Sequence, residues 1–367
     1  MDDPNSEQRY AATGLLAPAP RGARSGDSLD ALVLTRDAAQ RVCSSRRVAA
    51  EDDTAAATTR AVRALLAGAQ SALGDVPAAP LQSAVAMVNA RPGRPDAGTW
   101  WSARVLARLE TVGGPVLVGT ACTGSSMGAT GSPTLDVPVP QLPHGRPLQR
   151  APRGWADRQL IIAPPVAAQL VAGAWLALTS GAARRQRAQL AGRRVFPGLG
   201  LTDLPAEHPT GVQDDAGHPV VPVTVTKDGV LGAMTPDPRT GLLAGRSVWD
   251  HDSGRCTEPA HTVLALTGPG GERPHEAVEL AWCVEGLQRY HADGALRLNC
   301  LARTADRDAP WFPLQLRAKP QRLLQAVRAL AGPAHTVHTD HTVTTAALLL
   351  PSARVLAEKG IGTVANP

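Results

Sequence analysis

Leu160-Ile161-Ile162-Ala163-Pro164-Pro165-Val166-Ala167-Ala168-Gln169-Leu170-Val171-Ala172-Gly173-Ala174-Trp175-Leu176-Ala177-Leu178 is the stretch on which the fold turns. It carries no charge over 19 residues, close to the length that spans a bilayer. Pro164 and Pro165 cut it after four residues, however, and much of the remainder is Ala and Gly. Leu160–Ala163 therefore reads as a short buried strand. Pro165 suits the first position of a following helix, where the missing N–H costs nothing. That helix runs through Ala167, Leu170, Val171, Ala174 and Leu178 and ends or bends at Ser180-Gly181. Because it is apolar on every side, it predicts a helix inside a globular core.

Outward from this unit the chain divides unevenly. On the C-terminal side Arg184, Arg185 and Arg187 read as a solvated face or a surface for an acidic partner. Past Gly192 come short strand-like runs: Val195-Phe196, Leu199–Thr202, Val220–Thr226, Val230–Met234, Thr262–Thr267, Val278–Val284 and Ala295–Leu301. The clearest hairpin is Val220–Thr226, turning at Lys227-Asp228-Gly229 into Val230-Leu231, because Asp-Gly supplies the left-handed residues that a tight turn needs. A late helix is expected from Pro320, with Leu323, Leu324, Val327 and Leu330 on one side, before a last strand Ala346–Leu350. On the N-terminal side, residues 128–154 are crowded with Pro, Gly and Arg and suggest a boundary. Residues 1–28 read as a disordered tail, and 29–150 as a short N-terminal α/β domain. Within that domain Leu29–Leu34 and Val116–Thr120 read as strands. Asp52–Gly74 reads as a helix, capped at its start by Asp52-Asp53-Thr54 and carrying Val62, Leu65, Leu66, Ala69 and Leu73. Residues 151–367 form the β-rich remainder, so the fold class expected is α+β with mostly antiparallel strands.

Composition narrows the function. The 37 basic residues, all but three of them Arg, are nearly matched by 32 acidic ones, for a formal charge of +5. Aromatics make up 3% of the chain. Neither suits a nucleic-acid-binding surface. Five cysteines, Cys43, Cys122, Cys256, Cys283 and Cys300, include no C-x-x-C pair, which argues against a disulfide framework or zinc ribbon. The polar opening MDDPNSEQRY is no signal peptide, and a cytoplasmic setting is expected.

Three clusters could carry chemistry. Gly124-Ser125-Ser126-Met127-Gly128 matches G-x-S-x-G, but Ala129-Thr130-Gly131-Ser132-Pro133 cannot open the helix that lifts a nucleophilic serine, so Ser126 reads as part of a flexible loop. His335, His338 and His341, with Asp340, could bind zinc or nickel; a solvated polar loop is the plainer reading, and on a strand His335 and His341 would oppose His338. Asp214 and Asp215, with Asp203, Glu207 and His208 nearby, could hold a metal or do acid–base work, though Asp and Gly before a hairpin are ordinary turn residues.

In order, the segments of the second half resemble the TldD/TldE (PmbA) family of metallopeptidase-related proteins. Leu190-Ala191-Gly192-Arg193-Arg194-Val195-Phe196 is similar to its L-x-G-x-x-V-F approach, and Leu201-Thr202-Asp203-Leu204-Pro205 to the segment after it. Asp214-Asp215-Ala216-Gly217-His218-Pro219 with Val223–Gly232 is similar to its D-D-E-G-x-P hairpin. Tyr290–Leu298 resembles its f-H-x-D…G-x-F-s-l segment, and Thr344–Lys359, followed by Gly360, resembles the TldE-type closing strand. The likeness spans roughly residues 155–362. Catalytic TldD-type members carry H-E-x-x-x-H on the helix that corresponds to Pro165–Ser180 and a further cysteine ligand near the C-terminus. This helix has no His or Glu, no histidine stands between His144 and His208, and no cysteine follows Cys300. The resemblance thus implies a TldE-like subunit without catalytic residues or metal ligands of its own. It implies zinc in a TldD-type partner, within a heterodimer or larger hetero-oligomer that cleaves unfolded or modified peptides, including leader removal in peptide natural-product maturation. Asp214, Asp215 and Gly217 are the residues it offers for substrate binding. The alternative is a stand-alone homodimeric peptide-binding protein.

Overall fold

The computed structural model describes residues 10–14, 30–36, 41–49, 83–89, 100–109, 111–124, 147–180, 184–204, 214–239, 241–250, 252–257, 263–284, 289–290, 294–305, 309–338 and 342–366. Six strands form an antiparallel N-terminal sheet: β1 (Tyr10–Gly14), β2 (Asp30–Arg36), β3 (Val42–Ala49), β4 (Ser83–Asn89), β5 (Trp100–Leu109) and β6 (Val116–Gly124), in the order β3-β2-β1-β4-β5-β6. β1 lies inside the stretch read as a disordered tail. It pairs with β2 on one side and β4 on the other, so its backbone groups are satisfied by distant partners that local composition does not register. The expected helix Asp52–Gly74, Glu207, His208 and Ser126 lie outside the described residues.

The larger sheet is built from β7 (Gln159–Ile162), β8 (Gly200–Leu204), β9 (Val223–Lys227) and β10 (Val230–Leu231), then, past the small hairpin β11 (Val248–Asp250) and β12 (Arg255–Thr257), β13 (Val263–Thr267) and β14 (Gly270–Gly271). It continues with β15 (Val278–Cys283), β16 (Arg289–Tyr290), β17 (Leu296–Thr304), β18 (Phe312–Ala318), β19 (Ala329–His338), β20 (Thr342–Ser352) and β21 (Gly362–Ala365). The main path is β10-β9-β8-β13-β20-β7-β15-β17-β18-β21, mostly antiparallel, with β13 against β20 and β7 against β15 parallel. The helices are α1 (Pro164–Thr179), α2 (Arg184–Leu190), α3 (Pro320–Gln325) and α4 (Ala353–Glu358).

The decisive stretch folds as its residues dictate. β7 ends at Ile162, Ala163 caps α1, and both prolines occupy the first turn. No single helix among the described residues is long and apolar enough to cross a membrane. Instead, Leu160, Ile162, Val166, Leu170, Val171, Ala174 and Trp175 are fully buried in the main core, where α1 packs against β20, β15 and α3. Val116 and Val118 of β6 join the same core, and Val116 bridges Val284, so the two sheets are continuous in their packing.

The hairpin also forms as its sequence demands. Val230 pairs with Lys227, leaving a two-residue turn in which Asp228 (φ 51°) and Gly229 (φ 79°) are both left-handed. The late helix does not. α3 stops at Gln325, and Leu330, expected on its apolar side, lies on β19 opposite Leu348. Pairing with β20, whose partner residues are 18 positions on, overrides the helical spacing.

Candidate functional site

The resemblance assigns the metal ligands of catalytic members to the helix that corresponds to α1, and the residues of α1 do not fit an ion. Pro164–Thr179 contains no His, Cys, Asp or Glu, and its only polar side chains are Gln169, Trp175 and Thr179. The Thr179 hydroxyl donates back to the Trp175 carbonyl at 2.8 Å. Arg187 of α2, which the sequence suggests is solvated, is 3% exposed. It donates from Nη1 to the Leu178 carbonyl (2.9 Å) and from Nη2 to the Gly241 carbonyl (3.0 Å), so it neutralises the negative end of α1. Among the described residues, no three His, Cys, Asp or Glu side chains come together in a way that could hold a metal ion.

A layer of buried charge lies under α1. Asp203 of β8 is fully buried, and Arg246 donates from Nε to its Oδ2 at 2.7 Å. The same guanidinium donates from Nη1 to the Gly245 carbonyl (2.8 Å) and from Nη2 to the Val221 carbonyl (2.7 Å). Burial pushes the Asp203 carboxyl up to about 6, while Arg246 and the Trp175 indole that faces it from α1 pull the other way. The arrangement is sealed from water and bound to backbone, which suits holding β8 and the 245–249 segment together and leaves no group to reach a substrate.

Asp214 and Asp215 complete that layer. The Asp214 carboxylate accepts from the backbone N–H groups of Ala216 (3.0 Å), His218 (2.8 Å) and Ser247 (3.0 Å). Burial raises its pKa, against the Ser247 and His218 amides. Asp215 accepts from the Trp249 N–H at 3.0 Å, and its own N–H donates to the Ser247 carbonyl. Gly217, at φ 87°, turns the chain back so that the His218 N–H reaches the Asp214 carboxylate. These three residues, offered by the resemblance for substrate binding, are drawn by the structure into a clasp around Ser247–Trp249, with both carboxylates buried. From that segment the Trp249 indole donates to Ser45 Oγ at 2.8 Å and so reaches the N-terminal sheet. At the clasp's rim, half-exposed His218 stands 3.5 Å from buried Asp237.

The first two histidines of the run lie on a strand, not in the polar loop expected from the sequence. His335 and His338 lie on β19, paired opposite Thr345 and Thr342, and their odd separation puts them on opposite faces. His338 Nδ1 is 3.1 Å from Thr342 Oγ1. Thr and Val between the histidines are the signal for strand, and it outweighs the polarity of the run. His341 lies outside the described residues. The Asp203–Arg246 pair had no sequence signal, its members being 43 residues apart.

No protein-family model and no curated protein matches the sequence. By structure, the chain is similar to TldE from Thermococcus kodakarensis, with a TM-score of 0.60 and 12% identity over 98% of this chain and 95% of that one. It is also similar to a "putative modulator of DNA gyrase" from Bacteroides thetaiotaomicron, with a TM-score of 0.53 and 10% identity over 99% of this chain and 93% of that one. The α+β fold expected from the sequence, of TldD/TldE type, is the fold observed.

Proposed function

We propose that this chain is the metal-free, TldE-like subunit of a heteromeric metallopeptidase that cleaves unfolded or modified peptides in the cytoplasm. Zinc and the hydrolytic residues belong to a TldD-type partner. The observation that supports this reading is α1: in a TldE-type fold, the helix that would bear H-E-x-x-x-H is made of Ala, Val, Leu and Trp and is packed as core. A zinc-bound water needs open access and an adjacent base, and α1 offers neither. The role left to this chain is to complete the enclosure in which an extended peptide is held, with backbone pairing at a strand edge as one means of holding it. Leader removal from ribosomally made peptide precursors is the substrate class we favour.

The test is reconstitution. This chain is co-expressed with a TldD-type protein bearing H-E-x-x-x-H, and peptide cleavage and zinc content are measured for the complex and for each chain alone. We expect a stable complex that contains zinc, cleavage that needs both chains, and no cleavage by this chain alone. Hydrolysis by this chain alone, or stoichiometric zinc bound to it, refutes the reading. A stable homodimer that binds peptide and ignores the TldD-type protein favours the stand-alone binding protein instead.

A further inference from the structure

Cys283 and Cys300 lie directly opposite each other on β15 and β17, and both are thiols. Among the described strand pairings, no other cysteine has a cysteine opposite it. The next rung fixes the kind of pair they form. The Val284 N–H donates to the Asn299 carbonyl at 2.8 Å, so Val284 and Asn299 are a hydrogen-bonded pair and Cys283 and Cys300 a non-hydrogen-bonded one. In such pairs the Cα atoms stand about 4.5 Å apart and the side chains are at their closest. That spacing falls within the roughly 4.4–6.8 Å that a disulfide bridges. The sulfurs already interact: Cys283 is the leading cause, ahead of burial, that pushes the Cys300 thiol up. The pair also adjoins the seat of the N-terminal sheet. Val284, next to Cys283, bridges Val116 of β6. A Cβ on Gly114 would collide with Val284, and one on Gly113 would collide with Leu301, next to Cys300.

We infer that Cys283 and Cys300 are a reversible oxidation site, closing to a cross-strand disulfide that clamps the seat of the N-terminal sheet. The oxidant is a low-molecular-weight disulfide, and the two thiols divide the work by exposure. Cys283 is half-buried and Cys300 fully buried, so the oxidant meets Cys283 first. The Cys283 thiolate attacks one sulfur of the oxidant, whose S–S bond breaks. One small thiol leaves with the proton that Cys283 gave up, and a mixed disulfide remains on Cys283. Cys300 then attacks the Cys283 sulfur; the mixed bond breaks, and the second small thiol leaves with the Cys300 proton. Two protein thiols are oxidised and one small disulfide is reduced to two thiols. A thiol whose pKa is raised attacks slowly, and its place opposite Cys283 offsets this by making the second step intramolecular. The ring closed, residues 283–300, is short, so the bond restrains the unfolded chain less than a long-range cross-link would. With its half-buried member open to small thiols, it is of the labile kind that such thiols reopen.

The test incubates the purified full chain with excess oxidised glutathione under native conditions. Remaining thiols are blocked with N-ethylmaleimide, and the cysteines are mapped by mass spectrometry. A peptide pair linked through Cys283 and Cys300 is expected, and excess reduced glutathione should reopen it without denaturant. Cys300→Ala is expected to stop at a glutathione adduct on Cys283, and Cys283→Ser to leave Cys300 unmodified. Cys300→Ala is read only if its circular dichroism matches the parent; Cys283→Ser, at a half-buried position, carries the test if it does not. For the clamp, hydrogen exchange of residues 111–118 is expected to slow about tenfold or more in the linked chain, with residues 223–231 unchanged. A glutathione adduct on Cys283 of the parent chain with no cross-link overturns the inference. So does a Cys283 that stays unmodified while exposed Cys43 reacts, or a Cys300 that links to another cysteine. Unchanged exchange of residues 111–118 in the linked chain overturns the clamp.

Discussion

Replacing Arg246 with methionine keeps most of the aliphatic stem and deletes every donor that the guanidinium supplies. Three short bonds are lost: one to the Asp203 carboxylate and two to the carbonyls of Gly245 and Val221. Asp203 and Gly245 are buried, so the acceptors there do not recover full hydration, whereas the carbonyl of exposed Val221 can be partly rehydrated. Breaking a buried ion pair by removing one partner costs about 3–5 kcal/mol, a large share of the roughly 5–15 kcal/mol that stabilises a typical domain. The cost should depend on pH in a definite direction. Asp203 titrates at about 6 in the folded chain, against 3.8 for the ordinary carboxyl. An acid whose folded pKa is raised contributes its stabilisation in full below the unfolded value and loses it as pH rises through the folded one. Arg246 is one of the groups that hold this pKa down, so the variant's Asp203 titrates higher still. At pH 7.5 the variant must bury a bare carboxylate or spend free energy to protonate it; at pH 5 the carboxyl is neutral and the deficit shrinks. Urea unfolding followed by tryptophan fluorescence at the two pH values reads both effects. Asp203→Leu combined with Arg246→Met removes both charges and is expected to recover part of the loss. A deficit below about 1 kcal/mol for Arg246→Met at pH 7.5, or one that grows toward pH 5, would show that this pair does not hold β8 to the segment beneath α1.

Three shorter tests follow. Gly229→Ala is expected to cost about 2–3 kcal/mol or more by denaturant unfolding, because φ is 79° and a Cβ there would overlap the Phe196 carbonyl; Asp228→Gly in the same turn should be tolerated. Asp214→Asn should cost about 1–3 kcal/mol in stability, since a single amide oxygen replaces two oxygens that accept three backbone N–H groups; a variant that keeps its stability and loses only peptide binding would restore Asp214 as a substrate ligand. Cys300 is buried opposite Cys283 on neighbouring strands, and the Cys283 sulfur and burial both push its thiol pKa up. It should therefore resist alkylation in the folded chain while exposed Cys43 reacts, and quantifying modified cysteines by mass spectrometry decides the point.

What could be read from the sequence was local. The turn at Asp228-Gly229 is legible because two left-handed residues leave the backbone few alternatives, and β7 and α1 are legible because a proline pair marks the boundary between two apolar runs. The failures share one cause. Leu323, Leu324, Val327 and Leu330 have helical spacing, yet the last of them is claimed by Leu348 across a strand pair. Tyr10–Gly14 lies in a polar, Gly/Pro/Arg-rich stretch, and His335 and His338 lie in a polar run; both segments become strands through partners dozens of residues away or across a hairpin. Arg187 reads as a surface charge because nothing near it in sequence announces that it caps α1 through the Leu178 carbonyl. The pairing of Asp203 with Arg246 is set by where β8 and the 245–249 segment meet, a property of the finished fold.

The same contrast bears on α1. Eleven of its sixteen residues are buried, spread over the whole circumference, and its neighbours are β20, β15 and α3. A helix with one wet face could accept a ligand side chain by a single substitution. Here a histidine or glutamate at Ala167, Val171 or Ala174 would replace a small apolar side chain at 0% exposure, with no room for its volume and no water for its charge. Overpacking costs about 1–3 kcal/mol, and an unpaired buried charge costs several more. Each half-built metal site would therefore be less stable than the present core, and no single step would be rewarded by catalysis. The packing that surrounds α1 opposes a metal site there independently of which side chains the helix carries. A variant carrying Ala167→His and Val171→His together should lose several kcal/mol of unfolding free energy and gain no zinc by equilibrium dialysis; an increase in stability on adding zinc would mean that the core around α1 opens more readily than its burial indicates.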